Sequence, residues 1–180
     1  MLLEPMLSRL AAARGLEQTL LVGLRDVMSL HGAEMGNIQL VGEGGQLVIV
    51  AARGLTRAFL TTFERVTLDS GTVCGRAAKA GKPVFVKDVS VDADFAPYRE
   101  FAATVPFRSV LSCPLISADA QFIGAVSVHS ANLFAPTTLE LQSAEMYGRH
   151  LADAIATWMP AQNRRGVAEH LSKALLDQAR

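Results

Sequence analysis

FRSVLSCPLISADAQFIGAVSVHS, residues 107–130, decides the fold. The runs at 109–116 and 122–129 are apolar nearly throughout and meet across a short turn. Strands of that kind need cover on both faces of their sheet. Upstream, SGTVCGRAAKAGKPVFVKDV (70–89) reads as a short helix over 72–80, stopped by Gly81 and Pro83, followed by the β-branched strand VFVKDV. A loop carrying Asp92, Asp94, Phe95, Pro97 and Tyr98 then leads through a brief helical turn back to the first apolar run. Loops of this length inside compact domains are commonly functional, and this one falls where a lid would cover one sheet face. Downstream, in FAPTTLELQSAE (134–145), Thr137 and Glu140 fit a capping box that opens a helix just after Pro136.

Moving toward the N-terminus, LEQTLLVGLRDVMSLH (16–31) sets Leu16, Leu20, Leu24, Val27 and His31 at helical spacing, with Gly32 as the stop. GNIQLV and QLVIVAA are joined by GEGG, whose glycines tolerate the positive φ angles of a tight hairpin. TRAFLTTFERV (56–66) places Phe59, Phe63 and Val66 on one helical face. At the other end, Leu141, Ala144, Gly148, Leu151, Ile155 and Trp158 recur at spacings of three and four, which makes a seam. That seam either covers the sheet or joins Leu3, Met6 and Leu10 in a helical dimer bundle. PAQNRRG (160–166) is a polar break, and Val167, Leu171 and Leu175 then define a last amphipathic helix whose partner is another subunit or another protein.

The resulting division is an N-terminal helix over 1–15, one domain over 16–158, and a polar linker with a short amphipathic helix over 159–180. The fold class is α/β in the α+β sense: a central antiparallel sheet with a helical layer on one face and a lid of loops and short helices on the other.

Half of the 180 residues are hydrophobic, enough for one substantial core, and the 17 basic and 17 acidic side chains balance. Nucleic-acid binders show a basic stripe, so that partner is not expected. Two cysteines, Cys74 and Cys113, make no disulfide framework and have no metal-ligand spacing to His31, His129, His150 or His170. No metal is expected, and no cofactor is indicated. The N-terminus lacks the layout of a secretory signal, and no apolar run reaches the roughly 18 residues of a membrane span. A cytoplasmic protein without membrane contact is the expectation.

Strand alternation sorts the candidate site. If Val110 and Ser112 face the lid, Leu111 and Cys113 face the opposite layer; Ser127 and His129 then share the lid side, as do Asn37 and Gln39. With Cys74, Phe95, Tyr98 and Phe101 they outline a mixed polar and aromatic cavity of the kind small ligands use. The bland alternative is that the polar groups serve the backbone and the rings fill core. His129 is a candidate pH switch or metal ligand. Cys74, near a helix start, is a candidate thiolate, and a redox role predicts that it reacts far faster than Cys113.

The ordered blocks MGNIQL (35–40), GTVCGRAAKAGKPVFVKDV (71–89), DADFAP (92–97), RSVLSCPL (108–115) and IGAVSVHS (123–130) together resemble the GAF domain, nearest to the modules of bacterial sensor histidine kinases. The resemblance spans roughly residues 16–158. It implies a sensory or protein-interaction domain of a two-component or related system, often dimeric through terminal helices. Its partners would be a small molecule, a second copy, or a histidine kinase or other signalling protein.

The VCG triplet at 73–75 also occurs in GAF-type free methionine sulfoxide reductases. In those enzymes, however, a cysteine sits in the loop that here reads YREFAATVPF, and acidic residues stand where this chain has Ser127 and His129. Cyclic-nucleotide and chromophore signatures are absent. The tail HLSKALLDQ is superficially similar to a phosphoacceptor helix, but an ATP-binding domain does not follow it within these 180 residues. A non-catalytic sensor is therefore the leading expectation. The alternatives are a Cys74 redox sensor or reductase, and a degenerate dimerisation module without ligand.

Overall fold

The computed structural model describes residues 3–179. Helices α1 (Leu3–Ala12) and α2 (Leu16–Leu30) lead into strands β1 (Met35–Val41) and β2 (Leu47–Arg53). Their hairpin turns through Gly44 and Gly45 at φ 66° and 76°, closed by the Gly42 amide on the Gln46 carbonyl at 2.8 Å. Then come α3 (Arg57–Thr62), β3 (Arg65–Val66), α4 (Val73–Ala80) and β4 (Val84–Val86). The lid loop holds a 3-10 turn at Ala96–Tyr98 and α5 (Arg99–Ala102), and β5 (Ser109–Ile116), β6 (Phe122–Ser130), α6 (Thr138–Trp158) and α7 (Arg164–Gln178) complete the chain.

The six strands form one sheet in the order β3-β2-β1-β6-β5-β4, with every neighbouring pair antiparallel. One core lies under α1, α2 and α6, built on Ile38, Leu40, Leu111, Cys113, Val126 and Val128. A second lies under the lid, with Ile49, Phe59, Phe107, Val110 and Ala125. The expected two-sided cover of an apolar sheet is thus present, and the α+β expectation holds.

Gly124 sits in the middle of this sheet opposite Leu40. A Cβ there would lie 2.0 Å from the Gln39 carbonyl oxygen and 2.9 Å from the Leu40 Cα. Those are backbone atoms that cannot rotate away. Gly124→Ala should cost ~3 kcal/mol, at the upper end for overpacking, measured as a lowered urea midpoint at unchanged m.

Three expectations need correction. Helix α3 stops at Thr62, with Phe63 as its C-cap. Thr61 and Thr62 are β-branched and poor helix formers, and Val66 instead pairs with Leu47 as edge strand β3. The polar break is shorter than 160–166: Pro160 and a 3-10 turn over Ala161–Asn163 suffice, and Arg164, Arg165 and Gly166 are helical. Finally, α7 does not wait for another chain but packs on β2 and β1 of its own sheet.

The seam of α6 is likewise spent within the chain. Ala144, Gly148, Leu151 and Ile155 are buried, as are Met6 and Leu10 of α1. The reading in which the seam covers the sheet is the one observed, while Trp158 at its end stays exposed.

Holding the three helices together is a carboxylate that the apolar pattern concealed. Asp26 is 1% exposed. It accepts 2.7 and 3.1 Å hydrogen bonds from Arg9 of α1, and 2.8 Å from the Tyr147 hydroxyl of α6. Burial and that acceptor both raise the Tyr147 pKa, so the phenol stays a donor.

Candidate functional site

The lid face of β1, β5 and β6 carries polar side chains where a sheet buried on both sides ordinarily carries apolar ones. Asn37, Gln39, Ser112, Ser127 and His129 are each no more than 4% exposed. Ser112 and Ser127 face each other in the register and share a 2.7 Å hydroxyl hydrogen bond. Asn37 Oδ1 and His129 Nδ1 have no partner. Unpaired buried polar atoms are costly, and both residues line one cavity.

That cavity is lined by Asn37, Gln39, Ser112, Ser127, His129, Val110, Cys74 and Phe95. Eight of the ten residues expected from the sequence are therefore brought together. Tyr98 and Phe101 are not in the lining; they stand one ring further out, with centroids 5.2 and 5.3 Å from Phe63. The sequence reading had not placed Phe59, Phe63, Val66, Thr72, Val73 and Phe107, which also line it. The signal for three of these is in the sequence, since the segment at 56–66 sets Phe59, Phe63 and Val66 on one face.

Aromatic rings nearly close the space. Phe59 and Phe107 stand edge-on to His129, at 5.2 and 4.8 Å between centroids. About 30 Å³ remains for water-sized occupants, room for a water or two rather than for a drug-sized molecule. No Asp, Glu, Lys or Arg is among the lining residues.

The rings are held down by the lid loop. Asp92 accepts from the Phe95 amide at 2.9 Å, and Arg76 of α4 pairs with Asp92 at 3.2 Å and with Asp94 at 3.0 Å. Gly71 permits this closure: at φ 77° its missing Cβ would lie 2.3 Å from the Asp94 carbonyl oxygen.

Two candidate electrostatic roles are disfavoured for one physical reason, the exclusion of water, which leaves the buried structural reading of each residue. Burial pushes the His129 pKa down to about 3, so the imidazole is neutral across physiological pH and is no switch there. Cys74 heads α4, where a helix N-terminus favours thiolate, but burial outweighs that and raises its pKa. Its Sγ rests 3.4 Å from the Thr72 hydroxyl, which also caps the helix by accepting from the Gly75 amide. Cys113, in the opposite core, is pushed up to about 12. Both thiols should consequently react with an aromatic disulfide reagent about a hundredfold slower in the native protein than in urea, with no fast phase for Cys74; stopped-flow labelling checks this. Among the described residues no group of three or more His, Cys, Asp or Glu side chains is placed to hold a metal ion, and no helix is long and apolar enough to cross a membrane.

No curated protein sequence matches the chain significantly. Solved structures do. The GAF domain of a phosphoenolpyruvate-protein phosphotransferase from Coxiella burnetii aligns at 18% identity over 93% of this chain and 95% of that one, with a TM-score of 0.74. A domain of a two-component sensor histidine kinase protein from Sinorhizobium meliloti 1021 aligns at 17% identity over 85% and 99%, TM-score 0.64. A free methionine-R-sulfoxide reductase from Neisseria meningitidis, in complex with its substrate, aligns at 20% identity over 87% of each chain, TM-score 0.70. These likenesses establish the fold. The family model for the GAF domain matches residues 13–156. With the antiparallel sheet, its helical layer and its lidded polar face in agreement, this chain belongs to the GAF domain family, a regulatory ligand-binding and signalling fold.

Proposed function

We propose that the chain is a non-catalytic sensor module that holds a small uncharged molecule on the lid face of its sheet and transmits occupancy through its terminal helices. One observation carries this reading: buried polar atoms on Asn37 and His129 without partners, beneath aromatic rings and among no charged side chains. A ligand offering complementary hydrogen-bonding groups and a flat apolar body would satisfy both features. Admission requires Phe59, Phe63 or Phe95 to swing aside, so binding selects an open state.

The setting that fits is a cytoplasmic signalling pathway in which the module works beside a histidine kinase or comparable partner. Assembly as a homodimer would use outward helix faces, such as the one bearing Leu139 and Met146 of α6, since the inward faces are occupied. A redox or reductase role for Cys74 has less support, because its thiol is buried and protonated and Cys113 lies across the sheet.

Native mass spectrometry of gently purified protein tests the reading. The expected result is a subunit carrying added small-molecule mass, lost in Asn37→Leu. Wild-type protein that never carries added mass would instead favour a second reading, in which the rings fill the cavity permanently and only the helical surface works; the ~30 Å³ of free space is what supports it.

A further inference from the structure

Helix α7 lies beyond the stretch that matches the family, and it sits on the sheet unlike α2 or α6. It packs on β2, the strand next to the β3 margin, and on β1 beyond it. Val167 and Leu171 reach the core of the helical face, while Leu175 and Leu176 reach the core under the lid. One helix thus touches both layers where the sheet ends.

Its apolar seat is thin. Only Ala168 and Ser172 are buried, and the Ser172 hydroxyl has no hydrogen-bond partner, which counts against docking. Open grooves flank it, about 330 Å³ against α2 and about 550 Å³ against α3 and β3. What fastens the helix is polar. Glu169 accepts from both terminal nitrogens of Arg65, Nη1 at 3.0 Å, and from the Glu43 amide at 2.9 Å. Gly42 makes room for this, because a Cβ there would stand 2.4 Å from Glu169 Oε1. Arg65 belongs to β3, and the adjacent Val66 and nearby Phe63 line the lid-side cavity.

We propose that α7 is a releasable clasp, held on the sheet edge by Glu169 against Arg65 and the Glu43 amide, and that it reports the position of β3 to the helical face. A ring displaced in the cavity moves the α3 to β3 segment, the bidentate pair loses its geometry, and α7 lifts to expose the outer face of β2. Reporting rests on the cavity being the sensing site; the clasp does not.

Hydrogen exchange followed by mass spectrometry on the full chain separates the two. In Glu169→Gln, amides of 164–178 should exchange about fivefold faster, the scale of one partly exposed ion pair, while those of 138–158 stay unchanged. Gly42→Ala should do the same with both charges intact, since its φ of −93° suits alanine. If α7 is protected as strongly as α6 and neither variant alters it, the clasp is wrong. Phe63→Ala should also speed exchange in α7; unchanged α7 protection in that variant would overturn the reporting role while leaving the clasp to the first two.

Discussion

Leu151→Asp is expected to abolish folding, not to separate subunits. Leu151 is fully buried between α6 and α2, and a Cβ on Gly23 would come within 2.4 Å of its Cδ1. Truncating such a leucine costs about 2–5 kcal/mol, and an unpaired buried carboxylate adds several more. The sum rivals the roughly 5–15 kcal/mol that stabilises a whole domain. Circular dichroism should show no cooperative thermal transition, and Ile155→Asp should behave alike. A folded, monomeric Leu151→Asp protein would mean that this face meets a partner chain. Met146→Asp is the contrast: on the exposed side of α6, it should stay within about 0.5 kcal/mol of wild type.

The second large effect is acid sensitivity centred on His129. Its folded pKa is lowered from 6.5 to about 3 by burial, so below pH 6.5 the unfolded chain binds a proton that the native chain refuses. Stability is therefore whole above pH 6.5 and falls by about 1.4 kcal/mol per pH unit until the folded group itself titrates. By pH 4.5 the loss is about 3 kcal/mol. Glu140 and Glu169 have lowered pKa values; their contributions are present above the ordinary carboxylate range and vanish only at lower pH. The window from 6.5 to 4.5 thus belongs to histidine. His31, also lowered by burial although Glu140 opposes it, adds in the same sense. Urea midpoints at pH 7.5 and 5 should converge in His129→Gln much more than in wild type; an equal drop in both proteins would assign the effect elsewhere.

The lid-facing strand residues were legible because alternation is strict within a strand. Once Ser112 is set to one side, Val110 follows, and pairing carries the choice to Ser127, His129, Asn37 and Gln39. What alternation cannot reach is a side chain arriving from another segment. Phe107 lies just ahead of β5, and Thr72 and Val73 open α4; their place in the cavity depends on how the lid folds over, which no local period encodes. Asp26 was hidden in an apolar helix because its partners, Arg9 and Tyr147, lie on two other helices. The docking of α7 was missed because three half-buried side chains, Val167, Leu171 and Leu175, fit a surface in the same chain as well as one on another.

Both margins of the sheet are very short. β3 has two residues and β4 three, whereas the four strands between them have seven to nine. A long bare margin invites strand addition from another chain and, in the end, fibril growth. Here β3 and β4 themselves offer an incoming strand only two and three residues of backbone. Misassembly by strand exchange at these two margin strands is thereby discouraged even at high protein concentration.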